Sequence, residues 1–263
     1  VKATVFLGGG RITSALVAGL QRARYKRLIV IHDRNSKKLQ KLKRQHGVIV
    51  EPDLHGAVEA ADLLIVAVRP DSVRELLEEI GEIGRPLTVV SLAAGVPLAK
   101  LQARWGRPMR WARAMPSPAS RSGRGLTAIT FSRGLSAAAR NQVRNLFSLV
   151  GSVLEIPESQ FDAFTVTYSS SHGYYALAAL VEAARAIGLN AASARIAAAH
   201  ALADGILGWR EGKLPLDDLL REAATPGGIA AAVMNELDRE GYPKTIERGL
   251  RAGIKQARKN ARR

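Results

Sequence analysis

Short apolar runs and helical stripes alternate along the first half of the chain. Val5-Phe6-Leu7 leads into Gly8-Gly9-Gly10, after which Ile12, Ala15, Leu16, Gly19 and Leu20 recur at the i, i+3, i+4, i+7, i+8 spacing of one helix face. Leu28-Ile29-Val30-Ile31 reads as a second strand, followed by a basic helix carrying Leu39 and Leu42. Val48-Ile49-Val50 and the runs 63–68 and 87–92 continue the series. Several of these runs are apolar throughout instead of alternating, the pattern of strands covered on both faces. Strands alternating with helices predict an α/β domain with a doubly wound, mostly parallel sheet. Three later strand candidates, 109–115, 126–131 and 153–156, have shorter connections, which predicts that some of them run antiparallel.

After Pro157 the texture changes to alanine- and leucine-rich sequence with almost no β-branched runs. Tyr174, Leu177, Leu180, Val181, Ala184 and Ile187 form a helical stripe ended by Gly188. Further helices are predicted over 191–205, 216–223, 229–240 (ended by Gly241) and 245–259. The expected organisation is therefore an α/β domain over 1–157 and an all-α domain over 158–263. Long Ala/Leu helices with apolar residues on more than one face suit packing against a second subunit, so a homodimer or higher homo-oligomer is expected.

Charge is the one unusual global property. The 263 residues hold 39 lysines and arginines against 23 acids, a net +16, and residues 101–150 carry nine arginines and no acid. Two more basic clusters run from Arg22 to Arg44 and through Lys255, Arg258, Lys259, Arg262 and Arg263. Aromatics make up 5% of the chain and do not interleave with these clusters, so base-stacking platforms are absent and nucleic acid is not an expected partner. The charge is read as a solvated basic surface. With no cysteine, disulfides and thiolate chemistry are excluded. No apolar run approaches the roughly 18 residues of a membrane span, and Val1-Lys2-Ala3-Thr4-Val5 opens directly into a strand, so a cytoplasmic protein is expected. His32, His46 and His55 have no metal-ligand spacing with any acid, so no metal site is expected.

The glycine triplet carries the first chemistry. Gly8-Gly9-Gly10-Arg11-Ile12-Thr13 lies between a strand and a helix, the context of a dinucleotide fingerprint in a Rossmann-like domain. Gly8 would make the tight turn and Gly10 would let the backbone approach a pyrophosphate. The helix opening at Arg11 and Ile12 would offer free N–H groups and a positive dipole end. Thr13 stands where the third glycine of the fingerprint belongs. At the end of the second strand, Asp33 lies where an acid would hold the ribose hydroxyls of NAD, whereas Arg34 and Asn35, followed by Ser36 and Lys37, offer donors for a 2′-phosphate. The balance favours NADP as coenzyme, with NAD as the alternative.

Taken together the chain resembles the pyrroline-5-carboxylate reductases, NAD(P)H enzymes of proline biosynthesis. The resemblance rests on the glycine turn, Ala67-Val68-Arg69-Pro70, Ser91-Leu92-Ala93-Ala94-Gly95-Val96, Arg113-Ala114-Met115-Pro116-Ser117, the segment 123–129, Ser169-Ser170-Ser171 and Thr225-Pro226-Gly227-Gly228, collinear over some 220 residues. It implies a Rossmann domain followed by a helical dimerisation and substrate domain. It also implies that Val68, Arg69 and Pro70 line the coenzyme path and that Ala93, Ala94 and Gly95 lie beside the nicotinamide. Met115-Pro116-Ser117 would contact the nicotinamide side, with Ser117 where the family usually has asparagine. Thr225, Gly227 and Gly228, with Ser171, would receive the carboxylate of a small cyclic imine. His172, Tyr174 and Tyr175 would face the nicotinamide, and His172, Tyr174 and Thr225 are the expected catalytic residues.

The departures bear on the substrate. Where the family follows its two glycines with a pair of threonines, this chain has Ile229 and Ala230, which neither donate nor accept a side-chain hydrogen bond. Two alternatives stay open beside a reductase of the proline-biosynthesis type: a reductase of a different imine, and a nucleotide-sensing paralogue without catalysis.

Overall fold

The structure, a computed structural model, describes residues 3–106 and 108–261. Val1 and Lys2 of the opening segment, and Arg262 and Arg263 of the basic tail, lie outside the described residues. By contacts the chain divides into one unit of Val1–Val166 with Gly253–Arg263 and a second of Thr167–Ala252.

The first unit is built on β1 (Ala3–Leu7), α1 (Arg11–Arg22), β2 (Leu28–His32), α2 (Ser36–His46), β3 (Ile49–Val50), α3 (Leu54–Glu59), β4 (Ala61–Val66), α4 (Val73–Ile80), β5 (Leu87–Ser91) and α5 (Leu98–Arg104). It continues through β6 (Met109–Met115), β7 (Gly125–Phe131), α6 (Ala137–Ser148), β8 (Gly151–Glu155) and α7 (Glu158–Thr167). Among the described residues the strands form one sheet in the order β3-β2-β1-β4-β5-β6-β7-β8. All neighbours pair parallel except β6 with β7.

The unbroken apolar runs follow from this architecture. Val5 and Leu7 enter one core layer with Leu64 and Val66, beneath α3, α4 and α5. Their neighbours Phe6, Leu63 and Ile65 enter the opposite layer with Leu16, Leu20, Leu39, Leu42 and Phe147 of α1, α2 and α6. Alternate residues of one strand thus bury on opposite faces, which leaves no solvent-facing position in these runs.

Among the three later strands the expected antiparallel pairing is found for β6 with β7, and one expectation needs correction. The connection between β7 and β8 is not short: it holds α6, with Ser136 Oγ accepting from the Ala139 amide at its start. That helix returns the chain to the same edge, so β8 runs parallel to β7 and only the β6–β7 pair is antiparallel. The segment after Pro157, expected to be all-α, opens with the helix α7; by contacts α7 groups with the first unit, where Phe161 is fully buried. Arg113, on β6 and with its side chain 2% exposed, pairs with Glu158 at 2.9 Å and Asp162 at 3.3 Å on α7 and lies 4.2 Å over the Phe161 ring. Arg258 meets the other oxygen of Asp162 at 3.5 Å.

The second unit contains α8 (Ser170–Ala186), α9 (Ala191–Glu211), α10 (Leu216–Ala223) and α11 (Ile229–Arg239), and α12 (Tyr242–Asn260) begins in it. Gly205 and Gly208 do not end α9, which runs on to Glu211. Of its apolar side chains only Ala194 and Ala198 are buried in this single chain, whereas Tyr174, Tyr175, Ile187, Ile196 and Ile229 stand largely exposed. No described helix is long and apolar enough to cross a membrane.

Candidate functional site

Because β1, β2, β4, β5 and β6 are parallel, their C-terminal ends share one edge of the sheet. The chain winds from β1 to β2 and β3 on one side, then crosses to β4 on the other. The gap between β1 and β4 is therefore the topological switch point, where open α/β sheets bind ligands.

Gly8–Gly10 lies at that point. Gly8 has φ +111°, and a Cβ there would come within 2.6 Å of the Ala67 carbonyl oxygen, so only glycine lets the loops after β1 and β4 lie this close. The Gly8 amide donates to the His32 carbonyl at 2.7 Å, and the buried Thr13 hydroxyl donates to the Gly8 carbonyl at 2.5 Å. Thr13 therefore braces the turn from beneath, which accounts for a residue other than glycine at that position. Gly10 is the N-cap of α1, no side chain caps it, and a Cβ there would meet nothing within 4 Å. The first amides of α1 thus open onto free space with the dipole's positive end behind them. Arg11 is exposed at this helix start and Ile12 half-buried.

The side chains that follow β2 are engaged with one another and with α4. The Asp33 carboxylate accepts from the amides of Gly9 at 2.7 Å and Asn35 at 2.8 Å, with the Lys38 ammonium 3.4 Å away. The Asn35 side chain accepts from the Lys38 amide at 3.2 Å and so caps α2. Arg34 donates to Glu75 at 2.9 Å and also to Glu79, both on α4. These carboxylates, Glu79 foremost, hold its proton more tightly than usual.

Val68 and Pro70 are half-buried and Arg69 exposed in the loop after β4. After β5, Ala93 is buried with its amide donating to Ser91 Oγ at 3.3 Å, Ala94 is half-buried, and a Cβ on Gly95 would overlap the Ala257 carbonyl. Just past β6, Ser117 Oγ is buried and makes no hydrogen bond among the described residues. On α1, Ser14 Oγ lies 3.2 Å from His46 Nε2 and accepts from Arg121 at 3.4 Å. Burial, and secondarily the charge of Arg121, lowers the His46 pKa from its ordinary value.

The other expected site residues belong to the second unit. Ser171 and His172 lie in the first turn of α8, Ser171 sharing a 2.6 Å hydroxyl contact with Ser169 and the His172 amide donating to the Ser169 carbonyl. Tyr174 and Tyr175 follow on the same helix, both exposed. Thr225 begins a tight turn in which Gly227 has φ +74° and the Gly228 amide donates to the Thr225 carbonyl at 2.9 Å. Gly228 is the N-cap of α11, again without a side-chain cap, and Ile229 beside it is 88% exposed.

An uncapped helix start behind a glycine turn at a switch point, followed by a helical unit, defines a Rossmann-like fold with a C-terminal all-α unit. Residues 4–95 match the family model described as "NADP oxidoreductase coenzyme F420-dependent", and residues 158–260 match "Pyrroline-5-carboxylate reductase dimerisation". The chain is 32% identical over 254 residues to the pyrroline-5-carboxylate reductase of Corynebacterium melassecola, covering 94% of each. Pyrroline-5-carboxylate reductases of Streptococcus pyogenes (TM-score 0.87, 23% identity) and Plasmodium falciparum with NADP bound (TM-score 0.86, 18%) share the fold, each over 98% of both chains. The chain belongs to the pyrroline-5-carboxylate reductase family.

Proposed function

We propose that the chain is a homodimeric NAD(P)H-dependent reductase that transfers a hydride to the C=N bond of a small cyclic imine carboxylate. The observation that carries this reading is the α1 start. Its amides are uncapped and sterically open at Gly10, at the switch point of a chain from this family. The unpartnered Ser117 Oγ at the same edge is a second group suited to a polar ligand. These residues fit a nicotinamide dinucleotide. The amides around Gly8, Gly10, Arg11 and Ile12 would hold its diphosphate, and Asp33, Arg34 and Asn35 its adenosine ribose. Val68, Arg69 and Pro70 would line its path, with Ala93, Ala94 and Gly95 beside the nicotinamide. When bound, the coenzyme supplies the hydride.

The substrate side rests on the second unit. Thr225 and the amides at Gly227 and Gly228, at the open start of α11, suit a carboxylate. Ser171 adds a hydroxyl to that carboxylate site. His172 or Tyr174 would hold the proton that a neutral imine nitrogen needs as its carbon is reduced, whereas an iminium needs none. Ile229 and Ala230 present no hydroxyl next to the carboxylate loop, which favours a ring whose nitrogen is satisfied elsewhere. That is the specific observation behind the reading as reductase of a different imine. The exposed apolar side chains of the second unit supply the surface for a second copy of this chain.

The test is a panel of cyclic imine carboxylates offered to the purified chain with NADPH and with NADH, following loss of nicotinamide absorbance. Turnover of at least one imine is expected. Coenzyme binding without turnover of any imine would replace this reading by the nucleotide-sensing one.

A further inference from the structure

Arg34 follows β2 directly, one residue beyond Asp33, at the side of the switch point where an adenosine ribose lies when its diphosphate sits on α1. A free arginine there would be a fork for a 2′-phosphate. This one is engaged: its guanidinium donates to Glu75 at 2.9 Å and to Glu79, one turn apart on α4. The side chains are 54%, 66% and 42% exposed, so a ligand can reach the cluster and the bridge adds little to the fold. One cation between two carboxylates leaves a local charge of −1 where a 2′-phosphate would bring roughly two more negative charges. Of the neighbouring groups, Lys38 lies against the Asp33 carboxylate and the Asn35 side-chain oxygen is used in capping α2, which leaves the Asn35 side-chain N–H, Ser36 and Lys37 as the other donors.

We propose that Glu75 and Glu79 are coenzyme-selecting residues, holding Arg34 on α4 so that NADH binds with the bridge intact while NADPH must displace both carboxylates to gain the guanidinium. The exchange trades one pair of charge-assisted contacts for another, so the 2′-phosphate gains much less than it would from an unengaged arginine. It also leaves the two freed carboxylates close to the phosphate. The acid pair on α4 thereby sets the balance between the two coenzymes without touching the diphosphate or the nicotinamide. The inference rests on the nucleotide-binding reading above.

The experiment is calorimetric titration of NADPH and of NADH into four forms of the full chain: wild type, Glu75→Gln/Glu79→Gln, Arg34→Ala and the triple variant. The double variant is expected to bind NADPH about tenfold tighter than wild type, the effect of one recovered charge-assisted hydrogen bond, with NADH affinity changed less than about twofold. In the Arg34→Ala background the same glutamine substitutions are expected to give less than a threefold gain, because no guanidinium is released. An unchanged NADPH-to-NADH ratio in the double variant overturns the proposal. So does an equal gain without Arg34, which would reduce the acids to a background field. Failure of wild type and all variants to bind either coenzyme overturns the nucleotide reading, and this inference with it.

Discussion

Replacing Gly10 by alanine separates the proposed diphosphate site from the stability of the fold. Gly10 has φ −77° and ψ −175°, which alanine adopts freely, and a Cβ there meets nothing within 4 Å. Alanine is a poorer N-cap than glycine by about 0.5–1 kcal/mol, and it lowers the entropy of the unfolded chain by about 0.4–1 kcal/mol. The two offset, so the urea midpoint should barely move. The same methyl group extends into the open space at the start of α1. A diphosphate pushed outward by it loses one charge-assisted hydrogen bond worth about 1.5–3 kcal/mol, so coenzyme affinity should fall about ten- to a hundredfold. Gly8→Ala is the contrast. At φ +111°, with a Cβ 2.6 Å from the Ala67 carbonyl, strain of about 1–3 kcal/mol adds to a backbone clash, so stability and binding should fall together. Both variants are read by urea unfolding and calorimetric titration on the same samples. Wild-type coenzyme affinity in Gly10→Ala, with the fold intact, would refute the reasoning.

Other expectations follow from the same geometry. Arg113→Met should destabilise the chain by about 3 kcal/mol in urea unfolding, because Glu158 and Asp162 lose the cation they share; a change under about 0.5 kcal/mol would show that solvent already satisfies them. The folded chain holds the His46 pKa below its ordinary 6.5, so the unfolded state binds more protons as pH falls. The stability tied to this histidine is therefore complete above 6.5 and is lost as pH drops through the folded-state value. His46→Gln should flatten that slope, and an unaltered pH profile would count against it. If a second copy covers the apolar helices of the second unit, the unfolding midpoint should rise with protein concentration, and a midpoint independent of concentration would mean those helices fold unpartnered.

The strands were legible because burial on both faces forces uninterrupted apolar runs, as in Val5-Phe6-Leu7 and 63–66, and 216–223 stood out as a helix by its own stripe. The helices α6 and α7 were not. The first offers the core little beyond Val143, Leu146 and Phe147, the second only Phe161, which is too little apolar spacing to register. The glycine turn was readable because a strand precedes it and a helix follows. Thr13 as its brace was not, since its hydroxyl meets a carbonyl five residues back only once the turn is folded. The ion pairs of Arg34 and Arg113 were not legible for one reason: in sequence neither arginine has an acid at helical spacing that marks its partner. Their partners lie 41 to 49 residues further on, on helices that only the sheet order brings alongside. The i, i+4 spacings of Glu75 with Glu79 and of Glu158 with Asp162 were the available signals, each marking two acids on one helix face.

The central claim is that the open amides of α1 bind the diphosphate of a nicotinamide coenzyme. Calorimetric titration of the purified chain with NADPH and NADH tests it most directly. Saturable binding of one coenzyme per chain, weakened about ten- to a hundredfold in Gly10→Ala, is the predicted result; no heat with either coenzyme would contradict it.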